Sequence, residues 1–230
     1  MIQLRPYQLE IVAALHPFEP GKKHLAVVPT GGGKSLIIAQ LAHDQAMLGE
    51  RTLILTHVQE LVEQNAAELY ALDPELDVGI YCSALKKYAS HRTITVASVQ
   101  SVYKHLDEFE DVTLVIVDEA HRISATGGKM YKAVLDAFKH AYIVGLTATP
   151  FRMSTGYLHK GEHAVFDELK AEAPYEQLVA DGWLAPFAEK GSDLAYDTAK
   201  VHIQAGEFKQ NELDELVDYP KTKRIIEQAL

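Results

Sequence analysis

"LAVVPTGGGKSLIIAQLA", Leu25 to Ala42, is the stretch that decides the fold class. It reads as a short apolar strand, a turn on three consecutive glycines and an apolar helix. Gly31, Gly32 and Gly33 let the backbone curl so that successive N–H groups point at one anion. A helix opening at Lys34 adds the positive end of its dipole. Lys34 has the length to reach the β- and γ-phosphates of a nucleotide, and the Ser35 hydroxyl suits Mg²⁺. Pro29 and Thr30 complete the loop. The strict pattern asks for a glycine five positions before Gly33, and Val28 stands there, so the first glycine is missing while the Gly33-Lys34-Ser35 core is intact.

Outward from this stretch, the same alternation repeats. The runs 24–29, 51–56, 93–98, 113–119 and 141–147 are rich in Val, Ile, Leu and Thr. They do not alternate polar with apolar, which is how strands buried on both faces of a parallel sheet read. Helix-like segments fall between them at 34–48, 57–71, 99–107 and 129–139. The order implies an α/β fold, a doubly wound, mostly parallel sheet with helices on both faces. Ligands of such sheets bind at the carboxyl ends of the strands. Residues 151–170 read as a polar excursion. Residues 174–187 read as a helix stopped by Gly182 and then an extended piece, and 207–230 as a charged helical segment broken at Pro220.

The fourth run, "TLVIVDE" (113–119), ends in two carboxylates. An acid at a strand end opposite a phosphate loop holds Mg²⁺, and a second acid orients and deprotonates an attacking water. Asp118 and Glu119 fit those two roles. The implied chemistry is nucleoside triphosphate hydrolysis by in-line attack of water on the γ-phosphate.

The 230 residues carry 22 Lys and Arg against 32 Asp and Glu, a net charge of −10. That balance argues mildly against nucleic acid as a partner, although a few amides and cations on one face suffice to hold a backbone. The basic run "LKKYASHR" (85–92) reads as a solvated loop. Apolar runs stay far below the roughly 20 residues of a membrane span. One cysteine, Cys82, and an N-terminus without a leader pattern fit a cytoplasmic location. His159 and His163, four apart, lack an acid or cysteine to complete a zinc site and read as solvated side chains.

Taken together, the motifs resemble those of superfamily 2 helicases and translocases of the DEAH type. "LRPYQ" (4–8) is similar to their adenine-reading Q-type motif, "VPTGGGKS" (28–35) to motif I, and "LTHVQELVEQ" (55–64) to motif Ia. "ASVQS" (97–101) is similar to motif Ib, "VDEAH" (117–121) to motif II, and "GLTATPFR" (145–152) to motif III. The arrangement, with "LKKYASH" and "DGWLAPF", resembles the bacterial RadD-like DNA-repair helicases in particular. The resemblance implies a RecA-like P-loop NTPase domain using ATP and Mg²⁺. It implies that Gln8 reads the adenine edge and Arg5 stacks on the base. Lys34 and Ser35 would take phosphate and metal, Asp118 would hold Mg²⁺, and Glu119 would be the catalytic base. His121, Thr147 and Thr149 would link the γ-phosphate site to a second motor domain. Thr56, His57, Ser98 and Gln100 would meet nucleic-acid phosphates, DNA in preference to RNA. Val58 stands where family members often carry arginine.

The expected organisation is an ATP-binding domain over 1–205 and a helical exit over 206–230 toward a second RecA-like domain that would bring an arginine finger. A nucleotide-dependent binding module without motor activity is the alternative.

Overall fold

The computed structural model describes residues 3–123, 129–152 and 156–187, and the backbone of 203–204 and 207–208. In chain order the elements are α1 (Pro6–Leu15), β1 (Lys23–Val27), α2 (Lys34–Met47), β2 (Arg51–Thr56), α3 (Gln59–Leu72), β3 (Val78–Cys82), β4 (Lys87–Tyr88), β5 (Ile94–Ser98), α4 (Val99–Val102), β6 (Val112–Asp118), α5 (Lys129–Ala137), β7 (Tyr142–Thr147), β8 (Phe151–Arg152), β9 (Gly156–Tyr157), β10 (Glu168–Glu172), α6 (Tyr175–Ala180), β11 (Ile203–Gln204) and β12 (Glu207–Phe208). Eight strands form one sheet in the order β10-β1-β7-β6-β2-β5-β3-β4. All pairings in it are parallel except β3 with β4.

The sheet is apolar on both faces because both are covered. In β6, Leu114 and Ile116 belong to one core with Ile11 and Leu15 of α1, Ile37 and Leu41 of α2, and Val62 and Leu69 of α3. Val115 and Val117 belong to the other, with Val134 and Phe138 of α5 and with Leu158 and Phe166 of the β7–β10 crossover. Successive side chains of a strand point to opposite faces, so a strand between two cores is apolar at every position.

The five expected strands are present. Three members of the sheet are not in the sequence reading. β10, with the sequence Glu168-Leu-Lys-Ala-Glu172, is an edge strand with exposed or half-buried positions and carries no apolar run. β3 sits second from the other edge, and Gly79 dilutes its run. A Cβ there would lie 2.6 Å from the Ala89 carbonyl oxygen. β4 is a two-residue antiparallel strip that closes that edge with exposed Lys87 and Tyr88, a common way to blunt pairing with another chain. The expected helix over 99–107 is shorter, because His105 leaves the helical region and the chain restarts as a 3₁₀ turn at Leu106–Phe109.

The chain divides into two compact units, Met1–Leu184 and Ala185–Leu230. The expected helical segment over 207–230 lies outside the described residues except at its start, where Glu207–Phe208 pairs antiparallel with Ile203–Gln204 rather than entering a helix. Among the described residues no helix is long and apolar enough to cross a membrane.

Gly145 offers a test of the crossover packing. A Cβ at this position would lie 2.3 Å from Phe166 Cζ. Gly145→Ala should destabilise the domain by about 1–3 kcal/mol through overpacking. Thermal unfolding of the variant beside the wild type checks this, and an unchanged melting temperature would remove Phe166 from its place over β7.

Candidate nucleotide site at the carboxyl edge of the sheet

β1, β6 and β7 are sheet neighbours or next neighbours, and each delivers a polar cluster at its carboxyl end. β1 leads into the loop Val28–Gly33. The Gly32 N–H donates to the Pro29 carbonyl at 2.9 Å, and Gly31 and Gly33 adopt φ of 80° and 71°, a region that favours glycine. The missing first glycine has a packing explanation. Val28 is fully buried in the core, and a Cβ on Gly32 would meet its Cγ1 at 2.7 Å. The middle glycine makes room for the valine side chain.

Gln8 and Tyr7 hold this loop from α1. Gln8 Nε2 donates to the Gly32 carbonyl at 3.2 Å and to that of Gly33 at 3.4 Å, and the Tyr7 hydroxyl donates to the Gly32 carbonyl at 2.7 Å. Gln8 Oε1 accepts the Arg5 backbone N–H at 2.8 Å, closing the start of α1. Gln8 is buried, so its amide braces the glycine loop against α1. The Arg5 guanidinium lies 4.9 Å above the Trp183 ring and donates to the Trp183 carbonyl at 3.5 Å. Tyr7 and Trp183 line a cleft of about 700 Å³ between α1, β10 and α6.

β6 ends at Asp118. Glu119 then takes a left-handed φ of 51°, a strained conformation for a residue with a Cβ. The Glu119 N–H donates to Asp118 Oδ1 at 2.9 Å, and its carboxylate turns toward α2, with Oε1 3.6 Å from Lys34 Nζ. Its other oxygen stands 3.2 Å from His121 Nδ1, and that nitrogen is also 3.0 Å from Thr147 Oγ1 at the end of β7. Facing a carboxylate, Nδ1 is the protonated ring nitrogen. The Thr147 hydroxyl donates to the Thr149 carbonyl at 3.2 Å and accepts its N–H at 3.1 Å. Lys34, Glu119, His121 and Thr147 form one polar chain across three strand ends. Thr149 enters it through its backbone.

The two acids titrate apart. Burial pushes Asp118 above the usual carboxylate range, partly offset by the Asn65 hydrogen bond. The His121 hydrogen bond, opposed by burial and helped by Lys34, holds Glu119 below it. The lowered value favours the fold above the ordinary range and loses that contribution as the pH falls through it. The raised value of Asp118 favours the fold at low pH and loses it as the pH rises. Divergent carboxyls of this kind are how acid–base sites are set. If Glu119 is the base, His121→Ala raises its pKa and moves the acidic limb of the rate profile to higher pH. A pH–rate curve of the full-length variant with an unmoved acidic limb would separate His121 from the base.

Two residues absent from the sequence reading complete the site. Asn65 of α3 donates to Asp118 Oδ2 at 3.2 Å, and the Ser35 hydroxyl donates to Glu68 Oε1, one turn further on, at 3.4 Å. Asn65 had a sequence signal: it is a polar residue in the helix's apolar stripe with Val62, Ala66 and Leu69. Trp183 and Leu184 lie in the "DGWLAPF" stretch, but no local pattern places them at the loop; a Cβ on Gly31 would meet Leu184 Cδ2 at 3.1 Å, a contact between residues far apart in the chain.

The remaining candidates sit next door, over β2 and β5. Thr56 is buried and its hydroxyl donates to the Val58 carbonyl at 3.1 Å. Ser98 Oγ is 2.8 Å from Ser101 Oγ. These hydroxyls have local partners. Gln100 Nε2 donates to the His57 carbonyl at 3.0 Å, tying the two loops together. Among the described residues no three His, Cys, Asp or Glu side chains are grouped to hold a metal ion.

Residues 1–152 match the family described as "Type III restriction enzyme, res subunit". The chain belongs to this ResIII family. It is 28% identical over 240 residues to the Saccharomyces cerevisiae protein named "Putative ATP-dependent helicase IRC3", covering 97% of this chain and 34% of that protein. It therefore spans about a third of the length of that relative. Among solved structures, the UvsW helicase of bacteriophage T4 superposes with a TM-score of 0.60 at 21% identity, covering 74% of this chain and 60% of that one. The type ISP restriction-modification enzyme LlaGI, solved with a DNA substrate mimic, gives 0.60 at 15%, covering 79% and 21%. The ResIII chain thus has a superfamily 2 helicase-type RecA-like fold, as its motif order leads one to expect.

Proposed function

We propose that this chain is the ATP-binding half of a DNA-stimulated motor, a DEAH-type, repair-class relative of the RadD-like helicases. The observation that carries the reading is the polar chain from Lys34 through Glu119 and His121 to Thr147, at the carboxyl edge of a ResIII sheet. Lys34 and the backbone N–H groups of residues 30–35 bind the phosphates, and Glu119 takes the proton of the attacking water. Arg5 and Gln8 flank the base. Asp118 and Ser35 hold Mg²⁺. Asp118 fits that role: it is buried and, among the described residues, has no ion-pair partner, and Mg²⁺ asks for one or two protein ligands beside phosphate and water. When bound, Mg²⁺ stabilises charge on the phosphate oxygens.

Thr56, His57, Ser98 and Gln100 form the nucleic-acid edge, reached mainly by backbone amides, which needs no basic surface. His121, Thr147 and Thr149 report the nucleotide state to a second RecA-like domain. The ATP-binding domain is read over 1–205, with the compact unit Met1–Leu184 as support, and 206–230 would lead toward that second domain. The partial coverage of IRC3 supports such a partner. The LlaGI complex supports DNA.

The test is the ATPase rate of the full-length protein with single-stranded DNA, duplex DNA and RNA. DNA stimulation is expected, while residues 1–230 alone should hydrolyse ATP poorly and unwind nothing, since an arginine finger is worth about 10³ to 10⁵ in rate. Stimulation by none of the three would leave the nucleotide-dependent binding module.

A further inference from the structure

α3 meets both residues assigned to Mg²⁺. Its inward face carries Asn65, 2% exposed, whose amide donates to Asp118, and one turn later Glu68, which accepts from Ser35. Neither contact has a packing reason of its own. An apolar residue at 65 would continue the stripe of Val62, Ala66 and Leu69.

The two contacts are complementary in chemistry. Asp118 receives the Glu119 N–H on Oδ1 and the Asn65 amide on Oδ2, which fixes the plane of its carboxylate and leaves the outer lone pairs for a cation. A serine ligates a cation through an oxygen lone pair, so its hydroxyl proton must point away to an acceptor. Glu68 is that acceptor. α3 begins at Gln59, with Val58 between it and the pair Thr56 and His57, and the His57 carbonyl is bonded to Gln100 from the neighbouring loop. From Gln59 to Asn65 the helix rises about 9 Å, a single rigid element between the two edges.

Resting on the proposed function, we infer that Asn65 and Glu68 are positioning residues that set the metal ligands and couple them to nucleic acid through α3. A phosphate engaged at 56–57 moves the start of the helix. The same helix carries the groups that orient Asp118 and Ser35.

The test uses the full-length protein with Asn65→Ala, Glu68→Ala and Glu68→Gln. A fluorescent ADP analogue is titrated in EDTA and with Mg²⁺, beside thermal melting and ATPase with and without single-stranded DNA. Both alanine variants should bind the analogue in EDTA within about twofold of wild type, yet need roughly 10- to 100-fold more Mg²⁺ to tighten it. They should also lose DNA stimulation. Glu68→Gln keeps an acceptor oxygen and should restore both. Glu68 is half-buried, so Glu68→Ala carries the test if Asn65→Ala does not fold. Unchanged Mg²⁺ dependence and stimulation in folded variants overturns the inference, as does equal weakening in EDTA, which marks a merely structural role. A wild-type protein that DNA does not stimulate overturns the proposed function instead, and the coupling with it.

Discussion

Glu119→Gln in the full-length protein should lower ATP turnover by about 10²- to 10⁴-fold, the range for removal of a positioned general base, and leave nucleotide binding close to wild type. Glutamine keeps the shape and both polar atoms, so the left-handed turn at 119 and the contacts to Lys34 and His121 can persist in altered form. It cannot take a proton from water. The wild-type carboxylate is suited to the task because His121 and Lys34 hold it ionised, against the burial that pushes Asp118 the other way. Single-turnover hydrolysis with an independent nucleotide-binding titration separates the steps. Wild-type turnover would remove Glu119 from the base role.

Lys34→Ala should be comparably damaging to hydrolysis, about 10²- to 10³-fold for loss of one preorganised charge on the transferring phosphate, and should also weaken ATP binding. Two effects add here. The phosphates lose the one side-chain cation that opens α2, and Glu119 loses its ion-pair partner 3.6 Å away. The loop itself should survive, because Gln8, Tyr7 and the Pro29 carbonyl hold it independently of the lysine. Nucleotide titration and melting temperature together check this. Full affinity in Lys34→Ala would sink the phosphate-loop assignment. The double variant should cost less than the sum of the two, since contacting residues that act on one phosphate are not additive.

How legible the site was depends on the range of each contact. Gly33, Lys34 and Ser35 are contiguous and local geometry fixes what they present. Asp118 and Glu119 are marked by an apolar run that stops in charge. Arg5 and Gln8 show how sequence names a residue without its contacts: the Gln8 amide braces the carbonyls of Gly32 and Gly33, and the Arg5 guanidinium lies on Trp183, 178 residues away. The edges of the sheet were the least legible part of the fold, because β4 and β10 bury little and carry no apolar signature.

By itself, then, the sequence determined the buried parallel strands, the glycine turn before α2 and the acids at a strand end, because burial on two faces and a tight turn with positive φ impose residue types locally. The tertiary structure decided which strand ends stand side by side, and so how Lys34, Glu119, His121 and Thr147 join. It also decided that α3 reaches Asp118 and Ser35. Those contacts depend on strand order, which brings β6 beside β2 and β7 across long stretches of chain, and no local pattern encodes that order.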